Sequence, residues 1–254
     1  MKYMFYHLGV NPKTSEARLK ETYMRCKDSG LYDDLEKIFL YVNHCPASNR
    51  VGDYIDKYVN DDKIEVKFAE RQTATELATT TWLWEFCKEL EGNHEIYYSH
   101  SKGVFRKGQG HEGRRDEKGL KIVSDNIDLW NEYLEYWCMY RRKDCWEGLK
   151  NHYTAGPFLK GFPVEPLHYS GNFWWANSDY IKTLHKPDNE IDKTQEFWLL
   201  SDLYRDQNVN TGVLDVWAVG RKTHFKSVHQ PFTYIQDAYL EPILKCTYYE
   251  KIRS

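Results

Sequence analysis

The stretch "KIFLYVN", residues 37–43, is apolar without interruption from Ile38 to Val42. A strand with one wet face alternates polar and apolar residues; this one does not, so both of its faces are covered. Strands covered on both faces belong to parallel sheets flanked by helices. Three more segments have strand character: "KYMFYHL" (2–8), "KIEVKFA" (63–69), which alternates, and "HEIYYSH" (94–100). Helical signals separate them. Asn11-Pro12 offers an N-cap followed by Pro at the first helical position, and Leu19, Tyr23 and Cys26 follow at helical spacing. Thr73 and Glu76 form a T-x-x-E capping box ahead of Leu83, Phe86, Cys87 and Leu90, which share one helical face. Strands alternating with helices predict an α/β fold, a mostly parallel central sheet flanked by helices. Such sheets bind ligands beyond the carboxyl ends of their strands, which here are residues 7–11, 43–50, 69–73 and 99–106.

A chain of 254 residues, 41% hydrophobic and 29% charged, is globular and long enough for a substantial core. The net charge of −3 argues against broad electrostatic capture of nucleic acid or of an anionic membrane. Six cysteines show no CxxC pair and no clustering with His, so reduced, mostly buried thiols are expected. The start, "MKYMFYHLGVNPK", has no clean apolar run, and no apolar stretch approaches the roughly 20 residues of a membrane span. Cytoplasmic location without membrane insertion is the expectation.

Beyond the fourth strand, "KGVFRKGQGHEGRRDEKGLKIVS" (102–124) is basic, glycine-rich and long for a connection, the mark of a functional or mobile loop. Its "GQGHEG" matches GxGxxG but does not follow a strand directly, so it carries no dinucleotide site. A helix follows, with Ile127, Trp130, Leu134, Trp137, Cys138 and Cys145 as its apolar stripe; another is expected near 192–206. Ser99, His100 and Ser101 alternate across a strand, so the tripeptide is no catalytic pair by itself. P-loop, zincin and nucleophile-elbow motifs are absent. Lys102 and Gly103, where the fourth strand ends, suit a phosphate: one brings charge, the other close backbone approach. Glu196, Asp179 and Asp202 compete as carboxylates able to act as a general base.

"SGLYDDLEKIFLYVN" (29–43), "IYYSHSKGV" (96–104) and above all "HYSGNFWWANSDYIKTL" (168–184) resemble small glycosyltransferase-like proteins of the GT-A type. The resemblance implies one GT-A-like domain over 1–254, with residues 1–124 holding a nucleoside-diphosphate sugar and 125–254 holding a glycan or other hydroxyl acceptor. It implies donor contacts from His7, His100, Ser101, Lys102 and Gly103. His168, Gly171, Asn172 and one of Trp174 and Trp175 would face the sugar and acceptor, the other tryptophan entering the core. Transfer with inversion would need a base, for which Glu196 and Asp179 are the candidates. Retention would need a different arrangement, and the sequence does not decide between them. The Asp-x-Asp that usually binds Mn²⁺ or Mg²⁺ in such enzymes is replaced here by "SHSKG". Either Lys102 and the basic loop neutralise the diphosphate without a metal, the preferred reading, or His100 helps to ligate Mn²⁺ or Mg²⁺. Two other functions stay open: a non-catalytic carbohydrate- or nucleotide-binding protein on the same scaffold, and a glycosyltransferase acting on a hydroxylated DNA base, although nucleic acid is not an expected partner.

Overall fold

The structure, a computed structural model, describes residues 1–11, 14–43, 53, 55–57, 61–69, 76–101, 131–160, 166–188, 195–201 and 213–215. The four expected strands form as β1 (Lys2–Leu8), β2 (Lys37–Val42), β3 (Ile64–Phe68) and β4 (Glu95–His100). With β5 (Thr154–Gly156), β8 (Trp174–Asn177) and β9 (Val213–Asp215) they make one seven-stranded sheet in the order β3-β2-β1-β4-β8-β5-β9. Neighbouring strands are parallel except at β8, which runs antiparallel to both β4 and β5. The fold is therefore α/β with a mostly parallel mixed sheet. Strands from both halves of the chain contribute to it. Two short strands, β6 (Leu159–Lys160) and β7 (His168–Tyr169), pair separately.

Alternation along the strands sends side chains into two cores. One face carries Tyr6, Leu8, Leu40, Tyr97 and Trp175 toward helix α1 (Ser15–Asp28) and the helical segment after residue 130. The other carries Phe5, Phe39, Tyr98 and Trp174 toward α3 (Glu76–Glu89), α5 (Ser178–Thr183) and α6 (Gln195–Trp198). The short helix α2 (Leu31–Asp34) leads into β2. Burial on both faces is what "KIFLYVN" demanded.

Local details depart from expectation. Helix α1 is capped at Thr14, not Asn11, and no side chain caps it; the Asn11 carbonyl instead accepts the N–H groups of Thr14 and Ser15 at 3.2 and 3.1 Å. Pro12 and Thr73 lie outside the described residues. Residues 131–135 are helical and pass into a π-helical turn, Tyr136–Tyr140, where Arg141 N bonds Tyr136 O at 2.9 Å, before α4 (Arg142–Leu149). The wider turn accompanies a tertiary contact: the Cys138 carbonyl accepts the Trp175 indole N–H at 2.8 Å. Ile127 and Trp130 are outside the described residues, and of the expected 192–206 helix Gln195–Trp198 is described. Cys26, Cys87, Cys138 and Cys145 are free and buried, as reduced core thiols are.

Candidate functional site

The chain builds β1, β2 and β3 outward in one direction and then places β4 on the other side of β1. The strand order reverses between β1 and β4, and open α/β sheets bind ligands outside the carboxyl ends of the strands at such a point. His7 and His100 are register partners there. Ser101 closes the same end: its N–H donates to His7 O at 2.9 Å, and its Oγ accepts the Gly9 N–H at 2.7 Å. Lys102 and Gly103 lie outside the described residues.

Reversal of β8 brings the second half of the chain to this end. Because β8 is antiparallel to β4, Trp174 pairs with Tyr98, and the turn before β8 reaches the carboxyl end of β4. That turn is left-handed at two consecutive residues, Gly171 (φ 99°) and Asn172 (φ 56°). Glycine adopts this conformation freely, and Asn is the side-chain-bearing residue that best tolerates it. The Gly171 N–H donates to Glu196 Oε1, and the Gly171 carbonyl accepts from His100 Nε2 at 2.9 Å. Asn172 Nδ2 donates to Glu76 Oε2 at 2.8 Å, and Asn172 Oδ1 accepts the Trp174 indole N–H at 2.8 Å.

Glu76, the first residue of α3, joins these parts. Its Oε2 also accepts the Tyr98 hydroxyl at 3.0 Å, while Oε1 lies 3.1 Å from His100 Nδ1. One turn further along α3, Thr79 Oγ1 meets His7 Nδ1 at 2.8 Å, and Thr80 donates to Gln195 Oε1 at 2.6 Å. His7 is buried, and burial lowers its pKa to about 4, with Glu76 opposing the shift and His100 adding to it. It is a neutral imidazole at neutral pH, stacked on Tyr41 at 6.1 Å.

The structure thus assembles His7, His100, Ser101, Gly171, Asn172 and Glu196 at one end of the sheet. His168 stands at the edge of this group: it is buried, bonds the Pro166 carbonyl through Nδ1 at 2.7 Å, and meets the Phe197 ring edge-on at 4.9 Å. Asp179 does not join them. It follows the far end of β8, beside Asn93, and pairs at the surface with Lys182 at 2.8 Å. Nor does either tryptophan of the pair face outward: Trp174 is 1% and Trp175 0% exposed. The expected division between core and ligand is instead a division between two cores, because β8 is an interior strand with helices on both sides. Asp202 is outside the described residues. The T-x-x-E signature gives Glu76 a capping role and conceals its tertiary one, the contacts to Tyr98, His100 and Asn172.

Hard divalent ions require several oxygen ligands. Among the described residues, no group of three His, Cys, Asp or Glu side chains stands close enough to hold one. At the end of β4, both His100 nitrogens and Ser101 Oγ are already engaged. Among the described residues, this donor set supplies no cage of oxygen ligands for Mn²⁺ or Mg²⁺.

A family model described as a domain of unknown function (DUF8361) matches residues 5–226. The chain belongs to this family. The match takes in the strands of the seven-stranded sheet from Phe5 onward and the whole cluster around Glu76. No curated protein matches the chain. Among the described residues, no helix is long and apolar enough to cross a membrane.

Proposed function

We propose that the protein is a glycosyltransferase that moves a sugar from a nucleoside-diphosphate donor to a hydroxyl acceptor, a glycan by preference. One observation carries this reading. The "HSKG" strand end and the "GNFWWA" segment, which carry the resemblance to GT-A-type proteins, are far apart in sequence yet meet where His100 bonds Gly171 at the strand-order reversal. Donor contacts are assigned to His7, His100 and Ser101 at the sheet end, with Lys102 and Gly103 following in the chain. Acceptor contacts are assigned to the 168–172 turn.

Glu196 is preferred over Asp179 as the base, since it bonds the turn while Asp179 sits at the opposite end of β8. In a single displacement, Glu196 takes the proton of the acceptor hydroxyl as its oxygen attacks the anomeric carbon. The bond to the diphosphate breaks, and nucleoside diphosphate leaves with the electron pair. Lys102 is assigned to neutralise that leaving charge in place of a metal.

A binding protein without turnover is the second reading. It is favoured by the hydrogen bonds that already engage the polar atoms of His100 and Asn172.

The test is a panel of nucleoside-diphosphate sugars, each with and without Mn²⁺ or Mg²⁺ and with hydroxyl acceptors. Release of nucleoside diphosphate that rises with acceptor is expected, and Lys102→Ala should weaken nucleoside-diphosphate binding in a calorimetric titration. Binding without release would favour the second reading. Neither binding nor release across the panel would overturn both.

A further inference from the structure

Glu76 touches three residues in two parts of the fold through one carboxylate. Tyr98 belongs to β4, Asn172 to the left-handed turn, and His100 to the end of β4. The geometry at His100 is informative. Nε2 faces the Gly171 carbonyl, which can only accept, so Nε2 carries a proton. Nδ1 faces Glu76 Oε1, and Glu76 already accepts two hydrogen bonds at Oε2, so the carboxylate also draws a proton onto Nδ1. His100 therefore links Glu76 to the turn in one fixed orientation, and the Asn172 amide gives the turn a second tie to the same carboxylate.

We propose that Glu76 is a positioning residue for the transferase site, setting the protonation and orientation of His100 and holding the Gly171–Asn172 turn in its left-handed form. The proposal rests on the reading of this site as a transferase. Glu76 acts through His100 and Asn172 rather than on substrate. Its side chain is 28% exposed, and its contacts to Tyr98, Asn172 and His100 all lie within the protein. Misplacement of a reacting group by about 1 Å costs on the order of a hundredfold in rate, so a carboxylate that orients both a donor contact and an acceptor contact affects turnover more than substrate affinity.

Glu76→Gln tests this with little change of shape. The amide oxygen of Gln can accept from Tyr98 and Asn172, but its NH₂ must donate toward His100, which reverses the demand on Nδ1. In the full chain carrying ¹⁵N-labelled histidine, the Nδ1 resonance of His100 should move from the protonated to the unprotonated range in Glu76→Gln, while Nε2 stays protonated. With a donor found in the panel above, kcat should fall about tenfold to a hundredfold, with donor KM within about twofold. An unchanged His100 spectrum overturns the proposal. So does a shifted spectrum with unchanged kcat, which leaves Glu76 a structural tie only. If the wild-type chain turns over no donor, the transferase reading falls, and the spectrum alone decides whether Glu76 governs His100. Should Glu76→Gln lose its circular dichroism signal, Asn172→Gly takes its place. It cuts the tie to Glu76 while keeping a residue at ease with positive φ, and an unchanged kcat would then overturn the proposal.

Discussion

Trp174 and Trp175 are chain neighbours that occupy opposite faces of one strand, each stacked on a different tyrosine of β4. Trp175 lies 5.1 Å from Tyr97 at an interplanar angle of 16°, and Trp174 lies 5.1 Å from Tyr98 at 18°. Each indole N–H has its own acceptor, Cys138 O for Trp175 and Asn172 Oδ1 for Trp174. The aromatic crowd of "GNFWWA" is therefore the junction of two cores around an antiparallel strand. Its polar members, Gly171 and Asn172, form the turn at the sheet end.

Both tryptophans should accordingly behave as core residues. Trp174→Ala and Trp175→Ala are each expected to cost about 3–5 kcal/mol in urea unfolding. Phe at either position keeps a ring against tyrosine but strands a buried acceptor, at about 1–3 kcal/mol. Little loss of stability in either Ala variant would contradict the two-core assignment.

His7 makes stability depend on pH. Its pKa is lowered from 6.5 to about 4 by burial, so between those values the unfolded chain binds more protons than the folded one. The stabilising contribution is complete above pH 6.5 and is lost as pH falls toward about 4. Between pH 7 and pH 5 the loss from this group is about 2 kcal/mol. His7→Gln should flatten that part of the curve. Unfolding free energies measured from pH 4.5 to 7.5 should show the difference, and parallel curves for the two proteins would refute it.

A buried ion pair fastens α1 to the helical segment 131–135. Arg25 bonds Glu135 and lies 3.1 Å from Glu132, and Thr22 donates to Glu135 Oε1 at 2.7 Å. Burial opposes the charge on Arg25, but the two glutamates outweigh it and raise its pKa. Removing Glu135 alone leaves a buried guanidinium short of its main partner, and Glu135→Ala should cost about 3–5 kcal/mol. The double replacement Arg25→Met with Glu135→Leu should recover most of that loss. If the double variant is as unstable as the sum of its singles, the two charges do not act as a pair.

Local sequence determined the elements whose pattern is local. Uninterrupted apolarity gave β2 its two covered faces, and the parallel run β1 to β4 followed from strand signals separated by helical ones. The carboxyl ends named from that pattern are where His7, His100 and Ser101 stand. Tertiary structure alone decided the direction of β8 and the admission of the three-residue β5 to the sheet. A strand's period of two residues is the same in either direction, and three residues are too few to display it. It also decided Glu76. A T-x-x-E signature describes a hydrogen bond within one turn of helix, whereas Glu76 meets Asn172, 96 residues along the chain. Pairings at that range are set by the order of strands in the sheet, which brings the residues together only once β8 has docked against β4.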